Sequence, residues 1–285
     1  MSPSFQRLVR FRDTQGKVHY GEAPENKELV GTQVTIYTGD DPWDLRPSTQ
    51  TAKIVEVLCP LPSVPIMYGI GMNYKGHIEE VKFPVPQHPV IFTKPPDALA
   101  GPYDAIPVDS RCTNMDYEGE LCVVIGADCK NFIKGAHNPL DYVLGWTIGN
   151  DVSSRFWQEP PQSGNRHGYA KSFDKFAPIG PVIVSAEAVG IRNYAHAGDL
   201  DLQLRTLVNG EERQNSRTSD LLFGIGDILE HLSRGTTVRK GTVIMTGTPN
   251  GVAAFMEPPR WLRSGDVVEV EIEGLGKIRN TMVIS

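Results

Sequence analysis

Asp116-Tyr117-Glu118-Gly119-Glu120-Leu121-Cys122-Val123-Val124-Ile125 carries two glutamates at i and i+2 straight into an unbroken apolar run. Such a run reads as a buried strand. Side chains alternate along a strand with period two, so Glu118 and Glu120 share a face. Like charges placed that way repel unless something positive sits between them, and a hard divalent cation meets that need. Further on, the apolar segment Tyr142-Val143-Leu144-Gly145-Trp146-Thr147-Ile148 ends at Gly149-Asn150-Asp151, which adds a third carboxylate. Three carboxylates without a well-spaced His or Cys suit Mg2+ or Mn2+, and Ca2+ is a further cation that such donors accept. The pattern alone leaves the alternative of two solvated glutamates and an unrelated loop aspartate.

Around this stretch the chain is rich in strand signals. Val90 to Thr93, Glu120 to Ile125, Val182 to Val184, Leu202 to Val208, Thr242 to Met245 and Val267 to Ile272 all read as strands. Val208-Asn209-Gly210-Glu211 reads as a type I′ hairpin, since Asn and Gly tolerate positive φ. In the C-terminal run, Val268, Val270 and Ile272 alternate with Glu269, Glu271 and Glu273, as in a sheet with one wet face. Thr218 to Phe223 and Ile228 to Leu232 read as a helix pair around Gly224 and Gly226. The fold class expected is mainly β with few helices (α+β). Residues 1–65 form a small N-terminal β-rich domain in this reading, ended by the proline-dense Cys59-Pro60-Leu61-Pro62-Ser63-Val64-Pro65, and residues 66–285 form the larger catalytic domain.

With 285 residues, 40% hydrophobic and 22% charged, the chain has enough apolar material for a large core. A net charge of -6 without any basic run argues against nucleic-acid binding. No apolar stretch approaches the roughly 18 to 20 residues of a membrane span, and Met1-Ser2-Pro3-Ser4-Phe5-Gln6 lacks a signal's apolar core. A cytoplasmic protein without membrane partners is expected, with Arg7, Arg10 and Arg12 keeping a mitochondrial address open. Cys59, Cys112, Cys122 and Cys129 have no C-x-x-C spacing, so neither disulfide nor zinc is expected. Gly69-Ile70-Gly71-Met72-Asn73-Tyr74 puts tyrosine where a dinucleotide loop needs glycine, and no Walker loop occurs.

The order Gly71-Met72-Asn73-Tyr74-x-x-His77-x-x-Glu80, Phe92-Thr93-Lys94, Glu118-x-Glu120, Asp151-Val152-Ser153-x-Arg155, Lys171-Ser172-Phe173-Asp174 and Thr246-Gly247-Thr248-Pro249-x-Gly251-Val252 resembles the fumarylacetoacetate hydrolase family over roughly residues 66 to 284. The insertion Phe255 to Pro259 and the Val-Glu alternation resemble most its domain-containing protein 2 subgroup. The resemblance implies a mixed β-sandwich roll, a homodimer, and Mg2+ or Mn2+ on Glu118, Glu120 and Asp151. It implies a short 2-oxo or 2,4-dioxo acid substrate handled through a metal-stabilised enolate. The reaction is then C–C hydrolysis of an acylpyruvate or keto–enol tautomerisation of oxaloacetate. Decarboxylation of oxaloacetate and a catalytically silent structural dimer are the alternatives.

His77 and Glu80, at i and i+3 of a short helix, can face each other as an acid–base pair. The resemblance puts Lys171 at the active centre, where its ammonium neutralises an oxyanion or carboxylate. Arg155 and Gln158, at i+4 and i+7 from Asp151, would share its side on a helical turn, and Thr248 offers a hydroxyl or amide to a substrate carboxylate. Phe156 stands where most relatives carry an acid, which bears on the pocket or on Arg155. His77 to Gln87 reads as a lid over substrate.

Overall fold

The computed structural model describes residues 3–25, 27–191 and 199–285; Met1 and Ser2 of the N-terminal hexapeptide lie outside the described residues. Its elements in chain order are β1 (Arg7–Arg12), β2 (Val18–Glu22), β3 (Gln33–Thr38), β4 (Arg46–Lys53), β5 (Met67–Gly71), α1 (Lys75–Val81), β6 (Val90–Lys94) and β7 (Ile106–Val108). Then follow β8 (Gly119–Ile125), β9 (Val143–Asn150), β10 (Ala177–Val184), β11 (Gln203–Val208), β12 (Glu211–Arg217), α2 (Ile225–Ser233), β13 (Val243–Met245), β14 (Val267–Ile272) and β15 (Gly276–Ile284). Two sheets dominate. The larger runs β4-β3-β2-β1-β10-β9-β8-β13-β5-β6, and the smaller runs β12-β11-β14-β15-β7. The mainly β architecture expected from the strand signals is the one observed.

The central strands β8, β9 and β10 are buried along their whole length, which explains why they read as unbroken apolar runs. Their alternation sorts two cores. Leu121, Val123 and Ile125 join Trp146, Ile148, Leu204, Val268, Val270 and Ile272 in the core under the smaller sheet. Cys122 and Val124 join Leu8, Tyr20, Met67, Ile179, Ile183 and Met245 on the other side. The smaller sheet behaves as its sequence implies: Val268, Val270 and Ile272 are buried while Glu271 is exposed, and Asn209 (φ 52°) and Gly210 (φ 81°) close the β11–β12 hairpin. In the N-terminal stretch, β1 pairs antiparallel with β10, so these strands continue the larger sheet.

Two local expectations are corrected. The strand read as Val182 to Val184 begins at Ala177; Pro178 and Pro181 hide its first half from a propensity reading. The helix pair is a 3-10 turn, Thr218–Asp220, followed by the single helix α2. Thr218 ties to the neighbouring strand end instead, donating to Leu200 O (2.6 Å) and accepting from Leu202 N (2.9 Å). The Leu222 and Phe223 amides are taken by Asn73, and Asp227 caps α2 by accepting from Gly224 N at 3.2 Å.

Gly145 marks the closest approach of β9 to β10: a Cβ there would lie 2.5 Å from Val184 O and 2.7 Å from Ile183 Cγ2. Gly145→Ala is expected to lower stability by about 1–3 kcal/mol through overpacking. A lower urea midpoint with an unchanged slope is the expected reading, and an unchanged midpoint contradicts this contact.

Candidate metal centre and active site

Glu118 stands just before β8, Glu120 is its second residue, and Asp151 follows the end of β9. The two strands pair with Gly119 opposite Asn150 and Glu120 opposite Gly149. Asp151 N donates to Glu118 O at 2.9 Å and Glu118 N donates to Asn150 Oδ1 at 3.0 Å, so the ladder carries on past the strand ends. All three carboxylates are buried, and one oxygen from each lies within 4.8 Å of the others. The structure thus brings together the three residues that the sequence singled out as a cation site, and excludes the solvated-glutamate alternative.

Such a cluster is unfavourable by itself, and three cations are folded into it. Lys94, wholly buried at the end of β6, donates to Asp151 Oδ1 and to Val152 O at 3.3 Å. Lys171 donates to Asp151 Oδ2 and to Ser153 Oγ at 2.7 Å and lies 3.0 Å from Glu118 Oε2. Arg155 pairs through Nη2 with Glu118 Oε1 (2.6 Å) and through Nε with Asp116 Oδ2 (2.8 Å). Burial opposes ionisation of Glu118, yet Lys171 and Arg155 outweigh it and hold this carboxyl at about 2. Glu120 is the opposite case: burial first, then Asp151 and Glu118, push it well above the ordinary glutamate range. It accepts from Gly247 N at 2.7 Å and forms no ion pair among the described residues. Three hard oxygen donors, one of them without a cation partner, fit a small divalent ion such as Mg2+ or Mn2+.

His77 and Glu80 project from α1 as expected, with Nδ1 2.8 Å from Glu80 Oε2. An ionised carboxylate only accepts, so Nδ1 carries the proton and Nε2 presents its lone pair. The other oxygen of Glu80 accepts from Gly251 N at 2.9 Å, which locks the pair to the Thr246–Gly251 turn. Asp220 accepts from Gly76 N at 3.0 Å in the first turn of α1, and buried Asn73 donates to Thr246 O at 2.7 Å just before it. Phe255, from the insertion, meets the His77 ring edge-on at 5.8 Å. Thr248 is buried, donating to Gly119 O (3.0 Å) and accepting from Gln214 Nε2 (2.8 Å).

Arg155 and Gln158 do lie together, but not on a turn shared with Asp151. Ser153 and Ser154 are extended, and a 3-10 turn starts only at Arg155, where Nη1 donates to Gln158 Oε1 at 2.8 Å. The Ser153-Ser154 pairing with Met115-Asp116 is what interrupts a helix there. Phe156 packs edge-on against Trp157 (5.1 Å), and Asp116 supplies the acid that holds Arg155. Sequence reasoning gave no role to Lys94, Asp116, Gln214 or His167. A lysine closing an apolar strand was the visible sign for Lys94.

His77, Glu118, Glu120, Arg155, Gln158, Lys171 and Thr248 line one cavity of about 40 Å³ together with Ile70, Gly71, Met72, Phe92 and His167. That volume accommodates on the order of three waters. Because Glu120 titrates high, the ion-free protein retains a proton at pH values where an ordinary glutamate has lost it. A cation must displace that proton, so affinity for Mg2+ or Mn2+ is expected to rise with pH until Glu120 ionises by itself. Calorimetric titration in two buffers of different ionisation enthalpy measures the proton released. Heats independent of buffer contradict a protonated Glu120.

Residues 66–283 match the family model described as fumarylacetoacetate (FAA) hydrolase C-terminal. The chain is 40% identical over 215 residues to a fumarylacetoacetate hydrolase domain-containing protein 2 homolog of Dictyostelium discoideum, covering 75% of this chain and 70% of that one. It is 36% identical over 257 residues to the mitochondrial oxaloacetate tautomerase FAHD2A of Bos taurus, covering 90% and 74%. The crystal structure of 2-hydroxyhepta-2,4-diene-1,7-dioate isomerase from Mycobacterium marinum superposes with a TM-score of 0.79 at 31% identity, covering 98% of this chain and 99% of that one. Fold and sequence agree, and the chain belongs to the fumarylacetoacetate hydrolase family.

Proposed function

We propose that the protein is a divalent-metal-dependent enzyme that interconverts the keto and enol forms of oxaloacetate or a closely related short 2-oxo acid. The observation that carries this reading is the His77–Glu80 pair opening onto a cavity walled by Glu118 and Glu120. The similarity to a bovine oxaloacetate tautomerase over 90% of the chain supports it.

Glu118, Glu120 and Asp151 would hold Mg2+ or Mn2+, whose Lewis acidity favours negative charge on a 2-oxo acid. His77 Nε2 takes a proton from carbon 3, the C–H electron pair becomes the C2=C3 bond, and the 2-oxo oxygen gains the charge. The imidazolium, oriented by Glu80, returns its proton to that oxygen to give the enol. Lys171 and Arg155 add fixed positive charge to the cavity wall, while the Gln158 amide and the backbone N–H of Thr248, whose hydroxyl proton is spent on Gly119 O, orient substrate carboxylates. With Glu120 protonated, Asp116, Glu118 and Asp151 balance Lys94, Lys171 and Arg155; exchanging that proton for a divalent ion would leave one net positive charge, in favour of an anionic substrate.

C–C hydrolysis of an acylpyruvate is the second reading, because the same Nε2 lone pair can take a proton from water in the cavity. Progress curves with oxaloacetate enol, oxaloacetate and acylpyruvates, with product identification, separate tautomerisation, decarboxylation and hydrolysis. We also read residues 1–65 as an N-terminal unit whose strands extend the larger sheet, supported by a family match that begins at residue 66. A homodimer and a cytoplasmic or mitochondrial site remain part of the proposal; among the described residues no helix is long and apolar enough to cross a membrane. His77 to Gln87 is read as the lid: its first part is the end of α1, held to Gly251 N through Glu80, and the part that follows carries the exposed Phe83 and Val85.

His77→Ala is expected to lower kcat by about 10²- to 10⁴-fold with little change in metal affinity. An unchanged kcat on every active substrate removes His77 from the mechanism. Glu120→Gln is expected to abolish metal-dependent activity in a folded protein, because Glu120 neutralises no buried lysine. Asp151→Asn differs: it leaves Lys94 buried without its carboxylate and Lys171 with Glu118 alone, at a cost of about 3–5 kcal/mol, so its melting temperature drops as well. Equal melting temperatures for the two variants contradict the assignment of Asp151 as the shared counter-ion. Mg2+ or Mn2+ should activate better than Zn2+, and full activity after exhaustive chelation rules out the metal site.

A further inference from the structure

His167 lies on the cavity wall without an assigned role in the reaction above. It precedes the 3-10 turn Tyr169–Lys171 that carries Lys171, and its ring packs against Phe92 at 6.4 Å between centroids. Lys171 Nζ lies 4.8 Å over the face of that same Phe92 ring. The imidazole makes no hydrogen bond to protein among the described residues. Burial, then Lys171, lowers its pKa, so it stays neutral near pH 7 with one N–H donor to offer. Beside it on the wall, Gln158 has its carbonyl oxygen fixed by Arg155 Nη1, and its NH2 has no acceptor among the described residues. Two neutral donors therefore adjoin a cavity whose remaining polar wall is His77, Thr248, the carboxylates and the cations that pair with them.

We propose that His167, assisted by the Gln158 amide, recognises the distal carboxylate of the substrate and makes the site selective for short dicarboxylic 2-oxo acids over monocarboxylic or acyl-terminated ones. This rests on the reading of the site as one for 2-oxo acids, and it specifies what the far end of the substrate must be. The chemistry follows from the cavity: His167 and Gln158 are half-buried, and a carboxylate that displaces water from their N–H groups replaces those hydrogen bonds, whereas a methyl terminus displaces the water and leaves them unmet. His167 is a specificity-determining residue here; the proton transfer stays with His77.

The test separates recognition from turnover by comparing binding of malate and lactate to the Mn2+-loaded protein by calorimetry. Malate is lactate with one added distal carboxylate, so the ratio of their dissociation constants isolates that group. Wild type is expected to favour malate. In His167→Phe the preference should fall by about 10- to 100-fold, the range for losing a hydrogen bond to a charged group, while lactate binding holds. His167→Asn, which keeps an N–H donor, should retain most of the preference. A folded His167→Phe with an unchanged malate-to-lactate ratio, or a wild type without any preference, overturns the proposal. Oxaloacetate turnover is scored separately: wild type that binds malate selectively yet does not act on oxaloacetate refutes the proposed reaction and leaves the recognition intact.

Discussion

Everything in the site follows from packing Glu118, Glu120 and Asp151 into the interior within reach of one another. Three desolvated carboxylates cost more than any nearby hydrogen bond returns, so the fold supplies Lys94, Lys171 and Arg155 from three different segments. The compensation is uneven. Asp151 takes both lysines, Glu118 takes Lys171 and Arg155, and Glu120 takes only a backbone N–H. This asymmetry lets the protein fold before a cation arrives and still leaves one carboxyl whose ionisation depends on the cation's arrival.

The backbone around the cluster ties the His77–Glu80 pair and the carboxylate cluster to one turn. Glu80 is bonded both to His77 and to Gly251 N, and Gly247 N, four residues earlier in the same turn, is bonded to Glu120. Gln214 adds a third tie: its Oε1 accepts from Gly119 N at 3.0 Å and its Nε2 donates to Thr248 Oγ1 and to Pro249 O, each at 2.8 Å. Gly119 has to be glycine for this join, since a Cβ there would lie 2.2 Å from Thr206 Oγ1 and 3.2 Å from Gln214 Oε1. The smaller sheet thus grips the strand between the two glutamates from behind.

What the sequence made legible was whatever depends on local period. Glu118 and Glu120 sit two apart ahead of a buried strand, the Asn209-Gly210 turn demands positive φ, and the Val-Glu alternation of β14 sorts itself into core and solvent. His77 and Glu80 are three apart on a helix, and that spacing sufficed. The counter-ions were harder to read. Lys94 lies 57 residues from Asp151, and Asp116 lies 39 from Arg155; no periodicity relates positions so far apart. Gln214 acquires meaning only when β12 reaches Gly119 and Thr248, and His167 only when the loop before Lys171 reaches the cavity. The helix expected to link Asp151 with Arg155 failed for a related reason: Ser153 and Ser154 pair with Met115 and Asp116, a partner strand the local sequence does not announce.

That failure matters for the chemistry. A continuous helix from Asp151 would have put Arg155 and Gln158 on one stripe beside the ion site, whereas the observed extended step followed by a 3-10 turn sends the guanidinium back toward Asp116 and Glu118. Arg155 then spends its charge on the protein's own carboxylates. Its Nη1 also fixes the Gln158 carbonyl, so the end of that side chain left for a ligand is a neutral amide N–H. Charge in the cavity is thereby concentrated near the three carboxylates, and neutral donors are kept where the far end of a substrate would lie. A substrate gripped by charge at both ends would gain ground-state affinity without lowering the barrier to proton transfer. Placing the strong electrostatics where charge develops, and weaker neutral contacts at the distal end, favours the transition state over the ground state.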